Sequence, residues 1–336
     1  MGIKCLTQII KSQSPASITH ENLYKLSGQK IAVDASLVIY QNLLNTGNRS
    51  LFKNSKGKIT NHLSGLFYKI VNYLSLNIEL IFIFDGKPPD MKSATILDRK
   101  KKANKAKENM KNAITKEDKD KYEKASLRIT KEMVDDVKKL LDFMGVSYIH
   151  PNGEGEAYAS ELCRIGYVDY VLTEDMDTMV YGCPKLIRTC LDRSIKRKDI
   201  ISILDYNKII EDFNITQEQF IEFCILCGCD YCDSVPKIGN ITALKLIKTY
   251  GNIENIINNT KHKYSYPENY LELFNKSKGI FQMWKDQINI NEIDVHKSQK
   301  NMSSLLQFLV GEIEMNEKKV QNGIKKIINV HNYNSD

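Results

Sequence analysis

The chain reads as an α/β protein with a mainly parallel central sheet flanked by helices. Short apolar runs break off at acids: Asp34 ends Lys30-Ile-Ala-Val-Asp34, and Asp85 ends Glu79-Leu-Ile-Phe-Ile-Phe-Asp85. Asp175 and Asp177 follow Val168-Asp-Tyr-Val-Leu-Thr-Glu174. These runs alternate with stretches of helical periodicity, the pattern of buried parallel strands. The functional crevice of an open α/β sheet lies outside the carboxyl ends of its strands, so acids at successive strand ends are expected to converge.

Residues 1–90 read as strand, helix and strand around Asp34 and Asp85, with Gly57 and the polar run Thr46–Lys58 as a loop between two helices. Asp90 to Met144 contains no glycine or proline and is rich in Ala, Lys, Glu and Asn, so it is expected to be helical. Its last part, Met133-x-x-x-Val137-x-x-Leu140-Leu141, is amphipathic and leads to a strand at Val146–Ile149. Glu154-Gly-Glu156 opens a helix. Residues two apart face different sides of a helix, which puts Glu154 in the preceding loop. Further strands are expected at Val168–Leu172, Leu186–Cys190 and Ile200–Leu204. From Thr216 the chain turns helical, with Thr216-x-x-Gln219 as a capping box. The polar end after Ile328 is expected to fray.

Seven carboxylates stand out: Asp34, Asp85, Glu154, Glu156, Asp175, Asp177 and Asp230. Singly, each is explained by helix capping or a turn. Together they would repel within one crevice, a conflict that divalent cations resolve. Oxygen ligands without histidine or cysteine point to Mg²⁺ or Mn²⁺. The run Cys224-x-x-Cys227-x-Cys229-x-x-Cys232 lacks the long spacer of a zinc ribbon, and its first pair falls inside an apolar helix.

A chain of 336 residues holds one large domain or two, and no run of 18 apolar residues spans a membrane. No signal-peptide apolar region opens it, Leu6 breaks a myristoylation motif, and the eight cysteines show no secreted spacing. A reducing, intracellular setting is expected. The net charge of +7 is concentrated: residues 92–128 hold 13 Lys/Arg against 6 Asp/Glu. A solvated charged helix is the plain reading. A basic element just after Asp85-Gly-Lys-Pro-Pro89, at the rim of an acidic crevice, is what a nuclease needs. A second signal is Cys232-Asp-Ser-Val-Pro-Lys-Ile-Gly-Asn240 before the helix Ile241–Tyr250. There a turn and a helix N-terminus offer N–H groups to phosphate, with Lys237, Lys245 and Lys248 adding charge.

Met1-Gly-Ile, Val33-Asp-Ala-Ser-x-x-Ile-Tyr40, Phe84-Asp-Gly-Lys-Pro-Pro89, Thr173-Glu-Asp-Met-Asp177, Leu226-Cys-Gly-Cys-Asp-Tyr231 and Phe308-Leu-Val-Gly-Glu312 resemble the eukaryotic and archaeal flap endonucleases, members of the structure-specific 5′-nuclease superfamily. The resemblance runs from Met1 to about Ile328. It implies a PIN-like nuclease domain over 1–330, with nuclease regions at 1–105 and 146–232. A helical arch at 90–130 and a helix–two-turn–helix module at 216–255 belong to it, followed by a tail at 331–336. It implies two Mg²⁺ ions, replaceable by Mn²⁺, held by the seven carboxylates. Glu154, Glu156, Asp175 and Asp85 are assigned to one ion, and Asp177, Asp230 and Asp34 to the other and its surroundings.

The implied reaction is hydrolysis of a DNA phosphodiester near the junction where a 5′ flap leaves duplex, with 5′–3′ exonuclease activity, in replication and repair. By resemblance, Tyr40 stacks on a base, Lys92 and Arg99 contact the scissile phosphate, and Gly2 packs near the active site. Ser234 lies in a turn that binds K⁺. The family's Gly-Ile-Gly hairpin reads Lys237-Ile-Gly239 here, and its clamp-binding peptide and basic tail are not found after Ile328, which leaves a sliding-clamp partner open. A nuclear monomer acting on DNA flaps, without a membrane, is the expectation. Its rivals are a junction resolvase, a bubble-cutting nuclease, an exonuclease, or a non-catalytic DNA-binding protein.

Overall fold

In chain order the strands are β1 (Ile18–Asn22), β2 (Lys30–Asp34), β3 (Glu79–Ile83), β4 (Ser147–Ile149), β5 (Tyr170–Leu172), β6 (Lys185–Thr189) and β7 (Ile200–Asp205). The helices are α1 (Leu6–Gln13), α2 (Ala35–Leu44), α3 (Asn61–Ser75), α4 (Ser93–Asn112), α5 (Lys116–Ser126), α6 (Lys131–Met144), α7 (Gly155–Arg164), α8 (Asp177–Val180), α9 (Tyr206–Phe213), α10 (Gln217–Cys227), α11 (Asn240–Tyr250), α12 (Ile253–Thr260), α13 (Tyr270–Gln282), α14 (Met302–Leu306) and α15 (Glu317–Tyr333). The structure, a computed structural model, describes residues 3, 5–45, 51–283 and 285–333. The chain divides into two compact units built from interleaved segments. The first holds Met1–Lys25, Asp85–Lys92 and Pro151–Ile293; the second holds Leu26–Phe84, Ser93–His150 and Asp294–Asp336.

In the second unit β2, β3 and β4 lie side by side and parallel, with Asp34 opposite Ile83 at the strand ends. Leu63, Leu66, Phe67 and Ile70 of α3 are fully buried. A Cβ at Gly323 would sit 2.7 Å from the Phe67 ring, so α15 runs unusually close to α3. The basic stretch forms α4 and α5, packed on each other, with only Ala103 and Ala106 of α4 buried. Helix α15 continues through Tyr333, three residues into the expected tail.

In the first unit the order is β1-β7-β6-β5. Here β5 and β6 are parallel, whereas β7 is antiparallel to both β6 and β1, so the strands are mixed rather than uniformly parallel. Helix α10 forms behind a complete capping box between Thr216 and Gln219, as its sequence predicts. Its Phe220 and Phe223 pack with Phe213 at centroid distances of 5.9 to 6.2 Å. Cys224 and Cys227 are buried along the same helix as small apolar groups, with burial raising their thiol pKa values.

His62 is fully buried on α3, with both ring nitrogens lacking a hydrogen-bond partner. Lys58 Nζ lies 2.6 Å from Asp136 Oδ2, close by. Burial first, then the Lys58 charge, lowers the His62 pKa from 6.5 to about 4. The unfolded chain therefore takes up this proton before the folded protein does. Stability is lost as pH falls from about 6.5 toward 4, by on the order of 3 kcal/mol. Thermal melts across that window should show His62→Leu to be flatter with pH than the native chain; equal slopes would exclude His62 as the source.

Candidate metal centre

The acids of the first unit are gathered by three backbone devices. The loop after β3 comes close to the residues before α7: Gly86 N donates to Gly153 O at 2.8 Å, and Gly155 N donates to Asp85 Oδ1 at 3.0 Å. A Cβ on Gly86 would lie 2.1 Å from Pro151 O, so only glycine permits this approach. Glu154 occupies the N-cap position of α7 and Glu156 its first turn, which puts both at the positive end of the helix. Beyond β5, Asp175 Oδ1 accepts from Asp177 N at 3.1 Å and fixes the turn into α8. Arg188 pins that turn from outside, donating to Glu174 Oε2 at 3.1 Å and to Thr7 Oγ1 at 2.9 Å.

Glu156, Asp175 and Asp177 each offer a ligand oxygen, all within 4.8 Å of one another, and no other such group occurs among the described residues. Asp177 is buried, and its Oδ1 has no hydrogen-bond partner. Burial first, then Asp175 and Asp230, push its pKa well above the ordinary carboxylate value. A buried, unpartnered oxygen among like charges is the donor set that a hard divalent cation satisfies. Magnesium or manganese therefore fits these residues.

Lys92 pairs with Glu154 Oε1. Burial alone would lower the Lys92 pKa, but Glu154, Glu156 and Asp230 raise it, so the ammonium stays charged. On the other oxygen, Glu154 Oε2 accepts from Tyr181 at 2.9 Å and from the Tyr231 hydroxyl. Sequence reasoning missed both tyrosines. Tyr181 lies four residues after Asp177, one helical turn on, and Tyr231 adjoins Asp230; those spacings were the available signals.

The remaining candidate residues lie on other elements. Asp34 belongs to the second unit, where it is buried at the end of β2 and accepts from Leu37 N at 2.9 Å as the cap of α2. Tyr40 is half-buried on α2 and Arg99 is exposed on α4. Ser234 packs against Gly228, where an added Cβ would sit 3.0 Å from Ser234 N. Lys237 has φ +70°, the left-handed region that the missing glycine would have occupied freely. Gly239 has an ordinary φ of −92° at the N-cap of α11, and Lys245 and Lys248 are exposed along that helix. Gly2 lies outside the described residues.

Residues 1–106 match the XPG N-terminal domain, and residues 145–230 match the XPG I-region. Flap endonuclease 1 of Glycine max is 38% identical over 333 residues, covering 97% of this chain and 86% of the relative. Flap endonuclease 1 of Candida dubliniensis is 38% identical over 335 residues, with 97% and 89% covered. The solved structure of flap endonuclease-1 from Methanococcus jannaschii superposes with a TM-score of 0.69 at 29% identity, covering 93% of this chain and 96% of that one. The acids gathered on α7 and after β5 fall within the XPG I-region, and the chain belongs to the flap endonuclease 1 family of nucleases.

Proposed function

We propose that this protein is a 5′ flap endonuclease that hydrolyses a DNA phosphodiester beside the junction of single strand and duplex, in replication and repair. One observation carries the reading: the cluster of Glu156, Asp175 and Asp177, with its buried, unpartnered Asp177 oxygen. Two Mg²⁺ ions, or Mn²⁺, would be held by Glu154, Glu156, Asp175, Asp177, Asp85 and Asp230, and Asp34 is assigned to the same ligand set from the sequence resemblance. When bound, such ions supply an activated water and stabilise the leaving oxygen.

The chain's own residues do the rest. The two tyrosines hold Glu154 in one orientation, and the helix N-terminus of α7 fixes Glu156. Lys92, together with Arg99 on the arch, offsets charge developing on the phosphate. Tyr40 supplies a stacking face for an unpaired base. The turn around Ser234 and the N-terminus of α11, with Lys237, Lys245 and Lys248, grip the duplex backbone, with K⁺ at Ser234. Nuclear residence follows from the role in replication.

The deciding experiment is cleavage of a 5′-labelled double-flap DNA with Mg²⁺, beside the same flap blocked at its 5′ end. One dominant cut near the junction, suppressed by the block, is expected. Equal cutting of both would point to a resolvase-like or bubble-cutting specificity, and binding without cutting would overturn the metal reading.

The turn makes a separate prediction. Lys237→Gly removes a left-handed side chain that costs about 1–2 kcal/mol, part of which the freer unfolded chain takes back. The variant should melt higher by roughly 0.5–1 kcal/mol yet bind flap DNA more weakly, with the slope of log K against log salt reduced by about 0.9. An unchanged salt slope would remove Lys237 from the DNA surface.

A further inference from the structure

Glu154 is held in an asymmetric way. Oε1 meets only the Lys92 ammonium, whereas Oε2 accepts from two phenols at once. The hydroxyls of Tyr181 and Tyr231 are 3.3 Å apart, and the Phe281 ring packs against both, at centroid distances of 5.1 and 5.5 Å. Both hydroxyls lie within donating distance of the same oxygen, and two such donors fill its two lone pairs.

We propose that Tyr181 and Tyr231 form a positioning clamp that makes Glu154 a one-oxygen ligand and so sets the metal centre's preference for a small octahedral cation over calcium. Magnesium takes single oxygens at about 2.0–2.1 Å in near-ideal octahedral geometry; calcium takes six to eight oxygens at about 2.3–2.6 Å and readily uses both oxygens of a carboxylate. With Oε2 saturated, a cation displacing Lys92 meets Oε1 alone. The inference rests on the metal reading above and assigns its selectivity to residues that do not themselves face the cation.

The test uses the full-length protein without DNA. Mn²⁺ binding is followed by water-proton relaxation and competed with Mg²⁺ or Ca²⁺, for the native chain, Tyr181→Phe and Tyr231→Phe, each with a thermal melt. Phenylalanine keeps the ring against Phe281 and deletes only the hydroxyl. The expected result is a fall of at least fivefold in the preference for Mg²⁺ over Ca²⁺ in Tyr181→Phe, with Tyr231→Phe shifting the same way. Preference unchanged within twofold in both folded variants would overturn the clamp, as would equal weakening of both metals, the mark of a merely structural role. Failure of the native chain to bind Mn²⁺ would overturn the metal reading and the clamp together.

Discussion

Asp177→Asn is expected to lower flap cleavage by at least about 10³-fold, the equivalent of roughly 4 kcal/mol of transition-state stabilisation. At the same time it should make the metal-free protein more stable than the native chain. The substitution keeps shape and removes one buried charge from a group that already contains Glu156 and Asp175. Because the Asp177 carboxyl titrates well above its unfolded value of 3.8, the folded state holds its proton more tightly. Native stability without metal therefore falls as pH rises past about 4 toward the raised value, and asparagine abolishes that loss. A gain of about 1–2 kcal/mol is expected near neutral pH, worth a few degrees in melting temperature. Saturating Mg²⁺ should reverse the ranking, because binding stabilises only the chain that can hold it. Melts of both proteins with and without Mg²⁺ check this. A native chain more stable than Asp177→Asn in the absence of metal would contradict the placement of that charge.

Gly86→Ala should be the most damaging single methyl in the protein. The added carbon meets Pro151 O at 2.1 Å and the backbone around Asn152 and Gly153 at 2.9 Å, and neither can rotate away as a side chain would. The loop must lift, breaking the bonds from Gly86 to Gly153 and from Gly155 to Asp85. A stability loss of about 2–3 kcal/mol is expected from the overpacking. Displacing Asp85 relative to Glu154 by about 1 Å should cost a further 10² or so in cleavage. Gly279→Ala is the matched control. That glycine lies exposed within α13 with open space around its Cα, so alanine should stabilise by about 0.5–1 kcal/mol. Cleavage rates and melts of the two variants should diverge in sign, and a harmless Gly86→Ala would mean that the loop seats elsewhere.

How far the sequence could be read depended on where each signal resided. Strand β2 was legible to the residue, because Lys30-Ile-Ala-Val-Asp34 is an apolar run buried on both faces and stopped by an acid. Helices α4 and α5 were legible because more than 50 residues without glycine or proline leave few alternatives to helix. Strand β1 was not: Ile18-Thr-His-Glu-Asn22 has one apolar residue, and it is a strand because its backbone pairs antiparallel with β7. Helix α1 was likewise unmarked, since Cys5 at its N-cap makes no side-chain capping bond. Glu156, Asp175 and Asp177, which the structure brings together, could be singled out in sequence because unlike positions shared one context, the end of a strand or the mouth of a helix. The partners of Glu154 were not, because a tyrosine that donates one hydrogen bond looks the same in sequence as one that only fills the core.

The first unit is assembled from three separate stretches of chain, and this bears on when the centre comes into being. The bond from Gly155 to Asp85 spans 70 residues, that from Lys92 to Glu154 spans 62, and that from Tyr231 to Glu154 spans 77. Contacts so distant along the chain form late, after local helices and hairpins. A ribosome adding about 5–20 residues per second exposes Asp85 well before Asp230 and Phe281 emerge. Until then Glu154 lacks Tyr231 and the cluster lacks its neighbour Asp230. The nuclease therefore stays silent while it is being made, and its cutting power arrives with the folding of its last third.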